Sequence, residues 1–242
     1  MPRRRADLLL VERGFFASRA KAQAAIAAGL VTVDGTPVAK ASDQVRAEGE
    51  IAAEAPHLWV SRAGVKLAAA LDAFAIDPRG RVCLDLGAST GGFTEVLLSR
   101  GAERVYAVDV GHGQLHPKLA ADPRVVSLEA TDARRLDRIL VPEPIELLVA
   151  DVSFISLKLV LPPVVPLLAR DAALVALVKP QFEAGPAQAR KGVVRDEAVQ
   201  RAVCDDIGAL VASLGFEVVG LMPSPILGRE GNREFLIGAR RG

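Results

Sequence analysis

Two lysines and two carboxylates in this chain stand where apolar runs begin or end, and together they are suited to moving a proton. Asp151 and Lys179 each directly follow an apolar run of strand length, and Glu234 opens another. Lys66 lies early in a helical stretch that precedes the first strand. A lysine whose pKa is lowered by a neighbouring cation and by partial desolvation can remove the proton of a weakly acidic hydroxyl.

We assign the role of base to Lys179. Lys66 supplies a second positive charge that stabilises the developing alkoxide, and the two carboxylates orient the amines. Taken singly, a lysine–carboxylate pair at a strand end is an ordinary ion pair. The four residues together favour a catalytic group over that interpretation.

A glycine-rich turn, Gly-Ala-Ser-Thr-Gly-Gly at residues 87–92, joins a predicted strand to a predicted helix. Small residues let such a turn close on a ligand, although plain tight turns share this composition. Asp109 ends the next strand, where an acid can accept both hydroxyls of a ribose. Asp85 precedes the turn and can meet a ligand amine, and Asp132 can reach an adenine amino group. The residues assigned to the cofactor are Asp85, Gly87, Ala88, Ser89, Thr90, Gly91, Gly92, Phe93, Asp109, Val110, Asp132, Ala133 and Asp151.

The elements that must position these residues follow from residue 81 onwards, where apolar runs of strand length alternate with helical stretches. That alternation is typical of an open α/β sheet. The predicted strands are residues 82–86, 105–108, 145–150, 173–178, 217–219 and 235–237. Ligands of such sheets bind beyond the carboxyl ends of the strands, so we expect Asp151 and Lys179 beside the cofactor.

The first 30 residues differ from the rest, since they contain six cations and two anions. Their pattern predicts helices at residues 6–13 and 18–28, followed by a hairpin that turns at residues 34–35. Arg19 and Lys21 fall in the first turn of the second helix, where cations oppose the helix dipole. A bound phosphate would offset this unfavourable interaction, so the two cations can form a phosphate-binding site. The alternative is that they belong to a solvated helix face.

The composition argues against a disordered, membrane-spanning, disulfide-rich or metal-binding protein. The chain has 242 residues, a net charge of +1 and 50% apolar residues, which indicates a folded protein. Every long apolar stretch contains a charge, Gly or Pro, so we expect no membrane span. The two cysteines and three scattered histidines predict neither a disulfide framework nor a metal site, and the usage of cysteine suits the cytoplasm.

The N-terminal segment resembles the S4 RNA-binding domain. The matching runs are residues 5–14, 18–22, 29–31 and 33–35, with Ile26 between them. The resemblance implies a compact fold that presents the second helix and the hairpin to structured RNA. We therefore assign RNA contacts to Arg3, Arg4, Arg5, Arg19, Lys21 and, beyond this segment, Arg62.

The glycine-rich turn and its three carboxylates resemble the S-adenosylmethionine-binding half of class I methyltransferases, which have a Rossmann-like, mostly parallel sheet. A nicotinamide cofactor is the alternative, but Ser89 stands where the dinucleotide pattern has its second glycine. The two lysines and two carboxylates match the Lys-Asp-Lys-Glu tetrad of FtsJ-like ribose 2′-O-methyltransferases. Further matching runs are residues 61–67, 85–94, 109–115, 151–157, 178–185 and 191–196.

With the S4-like segment, the whole chain is identified as a member of the TlyA family, which also carries the historical name of haemolysin. The resemblance implies an enzyme that uses S-adenosylmethionine to methylate the 2′-oxygen of cytidine in ribosomal RNA of an assembled or partly assembled subunit. We expect an S4-like domain at residues 1–56, a linker at residues 57–60 and a methyltransferase domain at residues 61–242.

Three questions stay open at this stage. Trp59 packs at the domain interface, stacks on a flipped nucleotide or couples RNA docking to cofactor binding. A non-catalytic RNA-binding protein with this fold is one alternative function, against which the intact tetrad argues. A membrane-active haemolysin is the other, and no amphipathic or apolar segment of the needed length supports it.

Overall fold

The computed structural model describes residues 2–27, 29–53, 59–185, 188–189, 192–228 and 231–242. The chain divides into two compact units, Met1–Leu58 and Trp59–Gly242. Of the linker predicted at residues 57–60, residues 57 and 58 lie outside the described residues. Trp59 belongs to the second unit, where its side chain lies over Gly64 and occupies the space that a Cβ of residue 64 would need.

In its described residues, the first unit contains two helices and two small antiparallel sheets. Its elements are β1 (Arg3–Arg5), α1 (Ala6–Glu12), α2 (Arg19–Ala27), β2 (Val31–Val33), β3 (Thr36–Pro37), β4 (Gln44–Arg46) and β5 (Ile51–Ala53). Strand β1 pairs with β4, and the other sheet has the order β3-β2-β5. The two predicted helices and the hairpin of β2 and β3 are confirmed. Apolar side chains of both helices and of β2, among them Leu10, Ile26 and Val31, form the core.

The second unit is built on a seven-stranded sheet with helices on both faces. Its strands are β6 (Val82–Leu86), β7 (Arg104–Val108), β8 (Val125–Leu128), β9 (Ile145–Ala150), β10 (Leu168–Val178), β11 (Phe216–Pro223) and β12 (Phe235–Arg241). The order is β11-β12-β10-β9-β6-β7-β8, and only β12 runs antiparallel to its two neighbours. The predicted mostly parallel α/β fold is confirmed, and β8 is a strand that the sequence analysis missed.

Alternate residues of the central strands are buried on opposite faces of this sheet. Leu148 belongs to the core under the helices at residues 157–164 and 197–213. The neighbouring Val149 belongs to the core under the helices at residues 63–73 and 92–99. The helices are α3 (Ala63–Ala73), α4 (Gly92–Ser99), α5 (Pro117–Ala120), α6 (Leu157–Val164), α7 (Pro180–Glu183) and α8 (Glu197–Ser213). Because both faces are covered, these strands are apolar throughout rather than alternating with polar residues.

The order of the strands determines where a ligand can enter. From β6 the chain first adds β7 and β8 on one side, and it then returns to place β9 and β10 on the other side. Neighbouring loops therefore diverge beyond the carboxyl ends of β6 and β9, and such a point is the usual binding crevice of an open sheet. No described helix is both long and apolar enough to cross a membrane.

Candidate active site

A cavity of about 710 Å³ opens at this point of the sheet. Loops that follow β6, β7, β9 and β10 line it, together with the start of α3. All four residues of the predicted tetrad line the cavity, as does Arg62. The sheet thus brings together residues that are widely separated in the sequence.

The glycine-rich turn lies directly against the loop that follows β9. Gly87 has φ +82°, and a Cβ there would lie 2.6 Å from the carbonyl oxygen of Asp151. Gly91 has φ +95° and caps the N-terminus of α4. A side chain is thus excluded at residue 87 by contact and disfavoured at both glycines by backbone conformation, which explains why the turn needs glycine.

Asp109 holds the turn on the other side. Its Oδ2 accepts a hydrogen bond from the Ser89 backbone N–H at 2.8 Å, and its Oδ1 accepts one from Gly111 N–H at 2.7 Å. Gln114, which the sequence analysis did not assign, reaches the Ser89 hydroxyl, with 3.2 Å between Oε1 and Oγ. Asp109 and Gln114 both line the cavity beside the exposed Val110.

Glu129 orders the loop that carries Gln114. Its carboxylate accepts hydrogen bonds from the backbone N–H groups of Gly113, Gln114 and Leu115 at 2.9, 2.7 and 3.1 Å. These three donors hold the pKa of Glu129 below its ordinary value. The sequence analysis missed this role, because a single glutamate after a strand carries no distinguishing pattern.

Asp85 lies beneath the turn rather than in the cavity wall. Its side chain is fully buried, Oδ2 accepts a hydrogen bond from Thr94 Oγ1 at 2.7 Å, and Oδ1 has no hydrogen-bond partner among the described residues. Burial is the main cause that raises the pKa of Asp85 to about 7, and the nearby negative charge of Asp151 adds to it. The predicted contact between Asp85 and a ligand amine would be a hydrogen bond to Oδ1, the oxygen without a partner.

Asp132 and Ala133 lie at the far side of the cavity, at the start of a short 3-10 turn. Arg134 binds the Asp132 carboxylate, with 2.6 Å between Nη2 and Oδ2, and its backbone N–H donates to Oδ1 at 2.9 Å. These bonds lower the pKa of Asp132 to about 2. A ligand would therefore share this carboxylate with Arg134.

The tetrad forms two ion pairs. Lys179 Nζ lies 2.6 Å from Asp151 Oδ1, and Lys66 Nζ lies 2.5 Å from Glu234 Oε2. Because β12 is antiparallel to β10 and Val178 pairs with Phe235, the end of one strand and the start of the other bring Lys179 and Glu234 to the same edge of the sheet.

Gly228 packs behind the second pair. A Cβ at residue 228 would lie 2.2 Å from Glu234 Oε1, so only glycine leaves this carboxylate its place beside Lys66.

Next to the tetrad the cavity wall is aromatic. Phe154 is 85% exposed and has φ +64°, a conformation that costs a non-glycine residue energy. Its ring centroid lies 5.0 Å from that of Phe182, and Lys179 Nζ lies 5.9 Å from the Phe182 ring. Both rings line the cavity. Neither phenylalanine was predicted as a site residue from the sequence, although Phe154 follows Asp151 by three residues.

In the first unit, the cations assigned to RNA fall into two groups. Arg5 and Arg19 bind the fully buried Asp7 at 3.1 and 2.9 Å, and Gln23 Nε2 donates to the same carboxylate at 2.9 Å. Arg5 contributes most to holding the pKa of Asp7 well below its usual range. These two arginines therefore have a structural role that the sequence analysis did not foresee. The remaining cations, Arg3, Arg4 and Lys21, are exposed.

Of the three histidines predicted to be scattered, His57 lies outside the described residues. Within the described ranges, no three His, Cys, Asp or Glu side chains are placed to hold a metal ion. His116 Nδ1 instead accepts the backbone N–H of Lys118 at 3.2 Å and so caps α5.

Two family models match this chain. Residues 59–241 match the family model of the FtsJ-like methyltransferases, and residues 4–51 match that of the S4 domain.

Three relatives span nearly the full length. The 16S/23S rRNA (cytidine-2'-O)-methyltransferase TlyA of Mycobacterium tuberculosis is 46% identical over 98% of this chain and 90% of its own length. Hemolysin A of Brachyspira hyodysenteriae is 39% identical over 96% of this chain and 98% of its own. A solved structure named as a candidate hemolysin of Streptococcus thermophilus is 40% identical, with a TM-score of 0.77, over 100% of this chain and 89% of its own. The chain therefore belongs to the FtsJ-like methyltransferases and, among them, to the TlyA family, in which an S4 domain precedes the methyltransferase domain.

Proposed function

We propose that this protein transfers a methyl group from S-adenosylmethionine to the ribose 2′-oxygen of a cytidine in ribosomal RNA. The observation that carries the proposal is the pairing of Lys179 with Asp151 and of Lys66 with Glu234 in the wall of one cavity. The names of the relatives support the choice of RNA, of cytidine and of the 2′-oxygen. A ribosomal RNA substrate supports the cytoplasm as the compartment in which the protein acts.

The residues of the cavity, together with the buried Asp85 beneath the glycine turn, fit S-adenosylmethionine. The glycine turn offers backbone without side chains, Asp109 offers two carboxylate oxygens that retain free lone pairs, and one oxygen of the buried Asp85 needs a donor from outside the described residues. An amine, directly or through a water molecule, is such a donor. When bound, S-adenosylmethionine supplies a methyl group activated by a sulfonium.

The chain's own residues prepare the oxygen that receives the methyl group. Lys179, in its neutral form, takes the proton of the 2′-hydroxyl at Nζ, and Asp151 holds that amine in place. Lys66 faces the negative charge that develops on the oxygen, and Glu234 fixes Lys66. Because these groups are already in position before the reaction, little reorganisation is needed.

Recognition of the RNA is divided between the two units. We assign docking on structured RNA to residues 1–56, with Arg3, Arg4 and Lys21 as phosphate contacts, and catalysis to residues 61–242, joined by the linker at residues 57–60. Phe154 offers an exposed ring on which the base of the target nucleotide can stack once it leaves the RNA helix.

The test is transfer of a labelled methyl group from S-adenosylmethionine to purified small and large ribosomal subunits and to naked ribosomal RNA. We expect label in RNA with the unsubstituted protein and none with Lys179→Ala. Digestion to nucleosides should then give 2′-O-methylcytidine. Binding of RNA without any transfer would contradict the proposal and favour a non-catalytic RNA-binding protein.

A further inference from the structure

Ser153 accepts a hydrogen bond from the amine of Lys179, whereas Asp151 is the ion-pair partner of that amine. Lys179 Nζ donates to Ser153 Oγ at 2.8 Å while it also contacts Asp151 Oδ1 at 2.6 Å. From this geometry we infer that Ser153 is a positioning residue for methyl transfer and that it sets the direction of the Lys179 lone pair. The inference rests on the proposed function.

The shape of a neutral amine limits where its lone pair can point. Such an amine has two N–H groups and one lone pair, arranged around nitrogen with the bond to Cε. The Asp151 oxygen lies at ion-pair distance without accepting a hydrogen bond from the amine, so the ion pair alone does not fix rotation about the Cε–Nζ bond. Several staggered orientations of the amine stay open, and the lone pair points correctly in only a part of them. When Ser153 accepts one N–H, two staggered positions remain for the lone pair. The position that faces the negative oxygen of Asp151 is disfavoured by repulsion, so the lone pair points away from Asp151. A base that is both close to the hydroxyl and correctly oriented reacts faster than one that is only close.

The chemical type of this acceptor also suits the role. A second carboxylate at residue 153 would bind the protonated amine strongly and would disfavour the neutral form that acts as a base. A hydroxyl accepts the N–H without adding charge. Ser153 therefore orients Lys179 with little penalty to its reactivity.

The loop that carries Ser153 does not depend on this hydrogen bond for its position. Glu183 Oε2 lies 2.5 Å from Ser156 Oγ, and Glu183 Oε1 accepts the backbone N–H of Leu157 at 2.8 Å. The rings of Phe154 and Phe182 add a further contact between the two loops. Removal of the Ser153 hydroxyl should therefore disturb the amine and leave the loop in place.

The experiment compares Ser153→Ala with Ser153→Thr, which keeps a hydroxyl, in the full-length protein. Ser213→Ala is the matched control, because the Ser213 hydroxyl donates to a helix carbonyl at 2.7 Å at the end of α8 and has no part in the site. The readouts are kcat and KM for ribosomal subunits at saturating S-adenosylmethionine, and the Tm of each variant.

We expect Ser153→Ala to lower kcat about tenfold, or about 1.4 kcal/mol of activation free energy, with KM unchanged. Ser153→Thr should recover most of that rate, and Ser213→Ala should match the unsubstituted protein. An unchanged kcat in Ser153→Ala, an effect on KM alone, or an equal loss in the Ala and Thr variants would overturn the inference while the proposed function stood. Absence of transfer by the unsubstituted protein would overturn the proposed function itself.

Discussion

Lys66 and Glu234 lie 168 positions apart in the chain, and their side chains meet with 2.5 Å between Nζ and Oε2. Only 7% and 3% of these side chains are exposed. A buried pair of this kind is costly to form, and removal of one partner leaves a charge without compensation. The pair therefore contributes both to the fold and to the proposed chemistry, and the two contributions can be separated.

Substitution of one partner should destabilise the protein, and substitution of both should restore stability without activity. We expect Lys66→Met or Glu234→Gln alone to lower the free energy of unfolding by up to about 3–5 kcal/mol. The double variant should be more stable than the sum of the single effects implies. Denaturant unfolding measures the stability of each variant, and labelled methyl transfer measures its activity. Recovery of transfer in the double variant would show that the pair is only structural.

Lys179→Arg tests whether residue 179 moves a proton or only supplies charge. Arginine remains protonated in proteins and keeps the attraction to Asp151, but it has no lone pair to accept a proton. We expect transfer to fall by about 10²-fold or more, the usual contribution of a general base. Binding of S-adenosylhomocysteine, measured by calorimetry, should persist and serves as the control for folding. Substantial transfer by Lys179→Arg would rule out the proposed base.

Phe154 should show a conflict between stability and function. Its φ of +64° is easier for glycine, so Phe154→Gly should be more stable than Phe154→Ala by about 1 kcal/mol, the reverse of the usual order. Both variants should lose about ten- to a hundredfold in kcat/KM for RNA if a base stacks there, since stacking on an aromatic side chain contributes about 1–3 kcal/mol. Phe154→Tyr should keep activity. Equal kcat/KM in all variants would remove Phe154 from the site.

Much of the fold was predictable because apolar runs of strand length alternate with helices and place certain residues at strand ends. The proximity of Asp151 and Lys179 could be predicted in this way, because the parallel strands β9 and β10 end at the same edge of the sheet. Strands of three residues, such as β4 and β5, were missed because they are too short for a periodic pattern. The positive φ of Phe154 has no sequence signal, because it results from the surrounding loops.

The burial of Asp85 could not be foreseen either. The position before a glycine turn indicated contact with a ligand, but the packing of α4 and the bond to Thr94 decide how much of the carboxylate is covered. In the first unit, the two arginines on Asp7 were likewise indistinguishable in sequence from their exposed neighbours. Positive charge alone does not tell a phosphate contact from an internal ion pair.

Arg19 and Lys21 provide a matched comparison of these two roles on one helix. Arg19→Ala removes a charged hydrogen bond to the buried Asp7 and should lower the stability of the first unit by about 1–3 kcal/mol. Lys21→Ala should leave stability unchanged. It should reduce the salt dependence of RNA binding by about 0.7–0.9 in the slope of log K against log salt concentration. Thermal unfolding and binding at several salt concentrations measure the two effects. The same fall in Tm for both variants would contradict the assignment of a structural role to Arg19 and an RNA-binding role to Lys21.

Asp85 should make the ligand-free protein less stable as pH rises towards neutrality. Burial raises its pKa from 3.8 to about 7, so between these pH values the folded state binds more protons than the unfolded state. The contribution of Asp85 to the free energy of unfolding is therefore most favourable at and below about pH 4. This contribution falls by at most about 4 kcal/mol as the pH rises through 7. Asp85→Asn keeps an oxygen that can accept from Thr94 but cannot ionise. Trp59, the only tryptophan, belongs to the same unit, so its fluorescence can follow urea unfolding between pH 5 and 8. The difference in unfolding free energy between Asp85→Asn and the unsubstituted protein should grow over that range, whereas a constant difference would show that Asp85 is already ionised in the fold at pH 5.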